Sequence, residues 1–133
     1  MSLDTATRNS LAGSLLGRTA YTAPATVYAS LFIGASTALT GGTEATGGSY
    51  ARVAVTNNTT NFPAPSGGVV TSGTAITWPT STAAWGAVNA VRIHDAASGG
   101  NLIAGAILSP AATVDATGIT VSIPAGQLTL TLS

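Results

Sequence analysis

The chain has no cysteine and no lysine, one histidine, one glutamate, three aspartates and four arginines in 133 residues. Each shortage excludes something. Without cysteine there are no disulfides and no thiolate metal sites, and the redox compartment leaves no mark on the sequence. With so few ionisable groups, general acid-base catalysis, metal ligation and activated nucleophiles lack raw material. The expectation is a chain that is not an enzyme and holds no cofactor.

A formal net charge of zero removes the electrostatic basis for binding nucleic acid or an anionic membrane, which requires clustered Lys and Arg. Arg8, Arg18, Arg52 and Arg92 are scattered instead. No apolar run approaches the ~20 residues that span a bilayer, and the opening Met-Ser-Leu-Asp-Thr lacks the basic end and apolar stretch of a secretory signal. Asn57-Asn58-Thr59-Thr60 matches the glycosylation pattern, but a turn is the simpler reading.

What the chain does have is apolar substance. Hydrophobic residues make up 45% and charged ones 6%, against about 25% charged in an ordinary soluble domain. That balance is opposite to the disordered signature. The length suits a single domain over residues 1–133, which at this size buries about two-thirds of its unfolded surface. A neutral surface of Thr, Ser, Ala and Gly also favours association.

Asp4 is placed to cap a helix over about residues 5–16, with Leu11 and Leu15, then Ala12 and Leu16, recurring on one face. Gly17 ends it. A helix this short is marginal alone, so its leucines are expected to dock on something, including a neighbouring subunit.

From Thr26 the period changes to two. Val27, Ala29, Leu31 and Ile33 alternate with Tyr28, Ser30 and Phe32, a strand whose two faces can both be covered. Residues 34–48 read as a glycine-rich connection, Tyr50 to Thr56 as a strand with Arg52 outward, and 57–68 as a loop. Val69 to Trp78 reads as a strand with an irregularity at Gly73. Trp85 to His94 carries Val91 and Ile93 inward and Arg92 and His94 outward. A turn over 95–100 leads into Asn101 to Ser109. Ile119 to Ile123 and Gln127 to Ser133 complete the set, the last with Leu128, Leu130 and Leu132 on the core side. The expected fold is all-β, a β-sandwich of jelly-roll type or a small barrel, with one short N-terminal helix.

Candidate sites are few. His94 and Asp95 are neighbours in a strand and point to opposite faces, so they form no dyad without a bulge. Gly41 to Gly48 has the glycines of a phosphate loop but not its Lys. Tyr21, Tyr28, Tyr50, Trp78 and Trp85 could form a carbohydrate platform, although packing in a core or subunit interface is the plainer role. Arg52 could meet a partner's carboxylate or remain solvated. The expected interface residues are Leu11, Leu15, Leu16, Tyr21, Tyr28, Arg52, Arg92 and His94.

Four stretches in order carry a family resemblance: Leu15-Leu-Gly-Arg-Thr-Ala-Tyr-Thr-Ala-Pro-Ala-Thr-Val-Tyr28; Gly42-Thr-Glu-Ala-Thr-Gly-Gly-Ser-Tyr-Ala-Arg-Val-Ala-Val55, followed by Trp85-Gly86; His94-Asp95-Ala-Ala-Ser-Gly-Gly-Asn-Leu102; and Pro124-Ala-Gly-Gln-Leu-Thr-Leu130. Together they resemble small virion proteins of tailed bacteriophages, described as tail-fibre-like or minor tail proteins, and cover nearly the whole chain. The chain departs from that pattern near Arg92 and His94, where an aromatic or glycine is frequent. The resemblance implies a structural virion subunit, foremost a capsid cement or decoration protein bridging the major capsid protein. The alternatives are a tail-associated subunit at the tail tip or fibre attachment, contacting other tail proteins, and a receptor- or glycan-binding module. Self-association, as a homotrimer, is the expected oligomeric state.

Overall fold

The computed structural model describes residues 1–132. Its elements run in the order β1 (Ser2–Leu3), α1 (Thr5–Leu16), β2 (Thr26–Ser36), β3 (Gly41–Glu44), β4 (Val53–Thr56), β5 (Val69–Thr71), β6 (Ile76–Thr77), β7 (Gly86–His94), β8 (Leu102–Val114), β9 (Ser122–Ile123) and β10 (Thr129–Thr131). The fold is all-β and sandwich-like, with one short helix among the described residues, and its antiparallel sheets do not close into a barrel.

The helix follows its sequence signals closely. The Asp4 carboxylate accepts from Ala6 N–H at 2.9 Å, satisfying one orphan donor of the first turn. At the other end Gly17 N–H donates to the Gly13 carbonyl. β1, which the sequence pattern did not suggest, anchors the helix by pairing Ser2 and Leu3 with Gly105 and Ala104 of β8.

The main sheet has the order β1-β8-β7-β2-β3, with β4 pairing β2 as well. β4 takes Thr26 to Ala29 and β3 takes Phe32 to Ser36, so the two short strands share one edge of β2 end to end. Between them the edge would be open at Leu31. There the Tyr50 hydroxyl accepts from Leu31 N–H at 2.9 Å, and Ala45 N–H donates to the Leu31 carbonyl at 2.9 Å. One tyrosine thus replaces a missing rung of ladder, as a buried backbone group requires.

The second layer consists of two small antiparallel pairs, β5 with β10 and β6 with β9. The core lies between the layers, where Val27, Ala29, Leu31, Val91 and Ile93 of the main sheet meet Ile76, Trp78, Val121, Ile123 and Leu128. Trp78 is 1% exposed and its indole N–H donates to the Ala29 carbonyl at 3.2 Å. Trp85 also lies in the core and donates to the Gly48 carbonyl. Both tryptophans are therefore packing residues, not an exposed platform.

Several expected strands change extent. The stretch 69–78 is divided into β5 and β6, in different sheets. The division falls at Gly73, whose missing Cβ lets the Thr60 carbonyl and Pro63 ring approach the backbone. β3 arises inside the expected glycine-rich connection, because Gly41 and Gly42 adopt φ of +71° and +68° that only glycine tolerates cheaply. β8 runs past Ser109 to Val114. In the last strand Leu128 is buried and Leu130 half-buried, but Leu132 is 53% exposed, outside the core assigned to it. Ser133, included in that expected strand, lies outside the described residues.

Candidate functional site

Three of the chain's charged side chains, Glu44, Arg52 and Arg92, gather on the outer face of the main sheet. Side chains alternate along a strand, so Tyr28, Ser30 and Phe32 of β2 share this face with their cross-strand partners His94, Arg92 and Ala90 of β7. The sequence pattern turned Arg92 and His94 away from the core, and the structure agrees, but it does not leave them at the surface. Their exposures are 5% and 8%.

The cover is the turn between β2 and β3. It folds back over the sheet, and the Arg92 guanidinium donates to the carbonyls of Thr37, Ala38, Thr40 and Gly41 at 3.1, 3.3, 2.6 and 2.9 Å. The same guanidinium carbon lies 3.8 Å from the centroid of the Phe32 ring, a cation–π contact. Gly105, opposite Arg92 in the β7–β8 register, leaves room for the turn: any Cβ there would overlap the Ala38 carbonyl. Arg92 is a clamp on the chain's own loop.

Arg52 forms a second strap. Its Nε donates to Glu44 Oε1 and its Nη2 to Glu44 Oε2, both at 2.8 Å, a bidentate pair. Its Nη1 donates to the carbonyls of Ala96 and Gly99 in the β7–β8 turn. The side chain is only 6% exposed, which corrects the solvated reading. Tyr50 donates to Glu44 Oε1 at 2.9 Å and so joins the network. Burial works against the Glu44 carboxylate, but the bonds from Arg52 and Tyr50 outweigh it and hold the group below its ordinary range. Burial foremost pushes the Tyr50 phenol up, and the Glu44 hydrogen bond foremost raises Arg52.

Asp95 begins the following turn, accepting from Asn101 N–H at 2.7 Å and the Asn101 side-chain amide at 3.0 Å. These bonds lower its carboxyl pKa. Asp95 makes no hydrogen bond to either ring nitrogen of His94. Among the described residues no group of three His, Cys, Asp or Glu converges as a metal site.

Of the remaining expected interface residues, Tyr28 shares this face, while Tyr21 and the helix leucines sit apart from it. Tyr28 is half-buried opposite His94. Tyr21 is half-buried beyond the helix, its N–H donating to Ser14 Oγ at 3.4 Å. Of the helix leucines, Leu11 is half-buried, while Leu15 is 82% and Leu16 96% exposed. Leu11, Leu15, Met1 and Leu132 border one cleft of about 500 Å³. The structure thus separates the eight candidates into a locked polar group and an open apolar one. Glu44, absent from the expected interface, and Tyr50, considered only for an aromatic platform, belong to the locked group. The lone glutamate eight residues before Arg52 was the available signal.

The ordered motifs and this antiparallel architecture place the chain in a class, the tail-fibre-like proteins of tailed phages. Within it, the model of the family described as podophage GP4 fiber I protein gp80 matches residues 2–131, and the chain belongs to that family. No curated protein matches the chain. Membership makes this a phage structural protein associated with the virion. It favours the tail-associated reading over capsid cement.

Proposed function

We propose that the chain is a non-enzymatic subunit of the phage tail, working by contact, and that helix α1 is its principal contact element. The family match over residues 2–131 carries the tail assignment. The contact element rests on Leu15 and Leu16, which are almost fully exposed on a helix whose one buried residue is Thr7. Full burial of a leucine contributes about 1.5–3 kcal/mol, so two of them form a useful anchor for another copy of the chain or a neighbouring tail protein. The outer-face straps support the non-enzymatic reading, because they use Arg52, Arg92 and Glu44 to hold loops.

The test is imaging of intact particles that carry a labelled chain, with and without Leu15→Asp and Leu16→Asp together. Label at the tail, lost in the double variant while the purified variant remains folded, is the expected result. Label distributed over the capsid shell would restore the cement reading. Full incorporation of the double variant would remove the helix from the contact.

A further inference from the structure

Among the described residues, His94 is a buried polar side chain of the outer face left without a hydrogen-bond partner. Both ring nitrogens are buried, and neither has a hydrogen-bond partner among the described residues. Leaving a buried polar group unmatched is costly, so this position holds an imidazole that the surroundings treat as an uncharged aromatic ring. Phe32 stacks on it with centroids 6.3 Å apart and 15° between planes.

The charged groups around it come from four places. Arg92 lies on its own strand, Arg52 precedes β4, Glu44 ends β3 and Asp95 follows β7. Both carboxylates are already engaged: Glu44 by Arg52 and Tyr50, Asp95 by Asn101. Neither therefore offers the imidazole a hydrogen bond, while both guanidinium groups keep their charge. Tyr28 faces it as the cross-strand neighbour.

We propose that His94 is an acid-sensitive latch: protonating its ring places a third positive charge beneath the two arginine straps and releases the Thr37–Gly41 and Ala96–Gly99 turns from the outer face. Between the ladder ends, at Ser36–Gly41 and His94–Leu102, each turn is held onto the face by a side chain gripping its carbonyls, which makes the turns the elements able to open while the inner core stays packed. Opening uncovers Phe32 and the guanidinium of Arg92, a cationic and aromatic surface hidden at neutral pH.

Burial first, then Arg52, lowers the pKa of His94 below the ordinary histidine value. A depressed folded value means that the unfolded chain binds the proton more readily. The contribution of neutral His94 is thus fully present above about pH 6.5 and is lost as pH falls from there toward the folded pKa. Glu44 and Asp95, both lowered, lose their contributions only when pH falls below the ordinary carboxylate range. The histidine window lies above theirs.

The experiment uses the full chain. The His94 ring, the sole histidine, is titrated by NMR, and amide hydrogen exchange is compared at about pH 7.5 and 5 after correction for intrinsic rates, in wild type and His94→Phe. The expected ring pKa is below 6.5, with exchange in both turns accelerated several-fold at the lower pH and no such acceleration in His94→Phe. A ring titrating at or above 6.5, or equal acceleration in the two proteins, overturns the proposal. If His94→Phe does not fold, His94→Leu takes its place. Should neither fold, the wild-type titration decides alone, by the same pKa criterion.

Discussion

On the outer face of the main sheet, charged side chains are buried and their partners lie within the chain; on helix α1, leucines stand in solvent with no partner in the described structure. The usual partition of residue types is inverted in both places. The sheet face can bury arginine because two turns bring backbone carbonyls to the guanidinium groups, so the charge is solvated by peptide instead of water. The helix has no such cover over Leu15 and Leu16. A chain with few charges has thus turned two of its four arginines inward and left apolar surface outside. The two regions differ in kind: one is completed by the fold, the other is available to a partner.

That contrast can be broken most sharply at Arg92. Arg92→Met keeps the aliphatic stem but breaks four hydrogen bonds to the covering turn, and the expected loss is about 3 kcal/mol, read as a lower urea midpoint. Retention of the wild-type midpoint would mean that the turn is not clamped. Gly105→Ala attacks the same cover from beneath. Its added methyl group overlaps the Ala38 carbonyl, so a loss of about 2 kcal/mol is expected, with faster amide exchange in the turn and unchanged exchange in the inner core. The smallest effect belongs to the helix. Leu15→Ser with Leu16→Ser should alter the stability of the isolated chain by no more than about 0.5 kcal/mol. A loss as large as that of Arg92→Met would show that these leucines are already part of the folding core.

The difference between the regions also separates what the sequence makes legible from what it hides. The helix bounds, the inward set of Val91 and Ile93, and the alternation of Arg92 and His94 to the opposite face were all readable, because capping and period-two patterning are local. Burial of that opposite face was not. It depends on a turn returning from elsewhere, and alternation names a face without saying what covers it. Gly105 held a partial clue, since an interior strand glycine often marks the close approach of another backbone. Similarly, β3 was hidden in a glycine-rich stretch that reads as connection, and Leu132 continued a perfect alternation beyond the point where the second layer stops. Fold class needs only the pattern; the site needed the long-range return of the chain.

The second layer carries a consequence for biosynthesis. β5 pairs with β10 and β6 with β9, each joining stretches far apart in the chain. As the polypeptide leaves the ribosome, β2, β4, β7 and β8 emerge before β9 and β10. Throughout that interval the sheet face bearing Val27, Leu31, Val91 and Ile93 lacks half of its cover, and nascent chains in this condition are prone to coalesce. The closure of long loops comes last and sets the pace of maturation. Translation that halts before Leu128 would leave a sticky open sheet, so the demand for chaperones lasts until β9 and β10 have emerged.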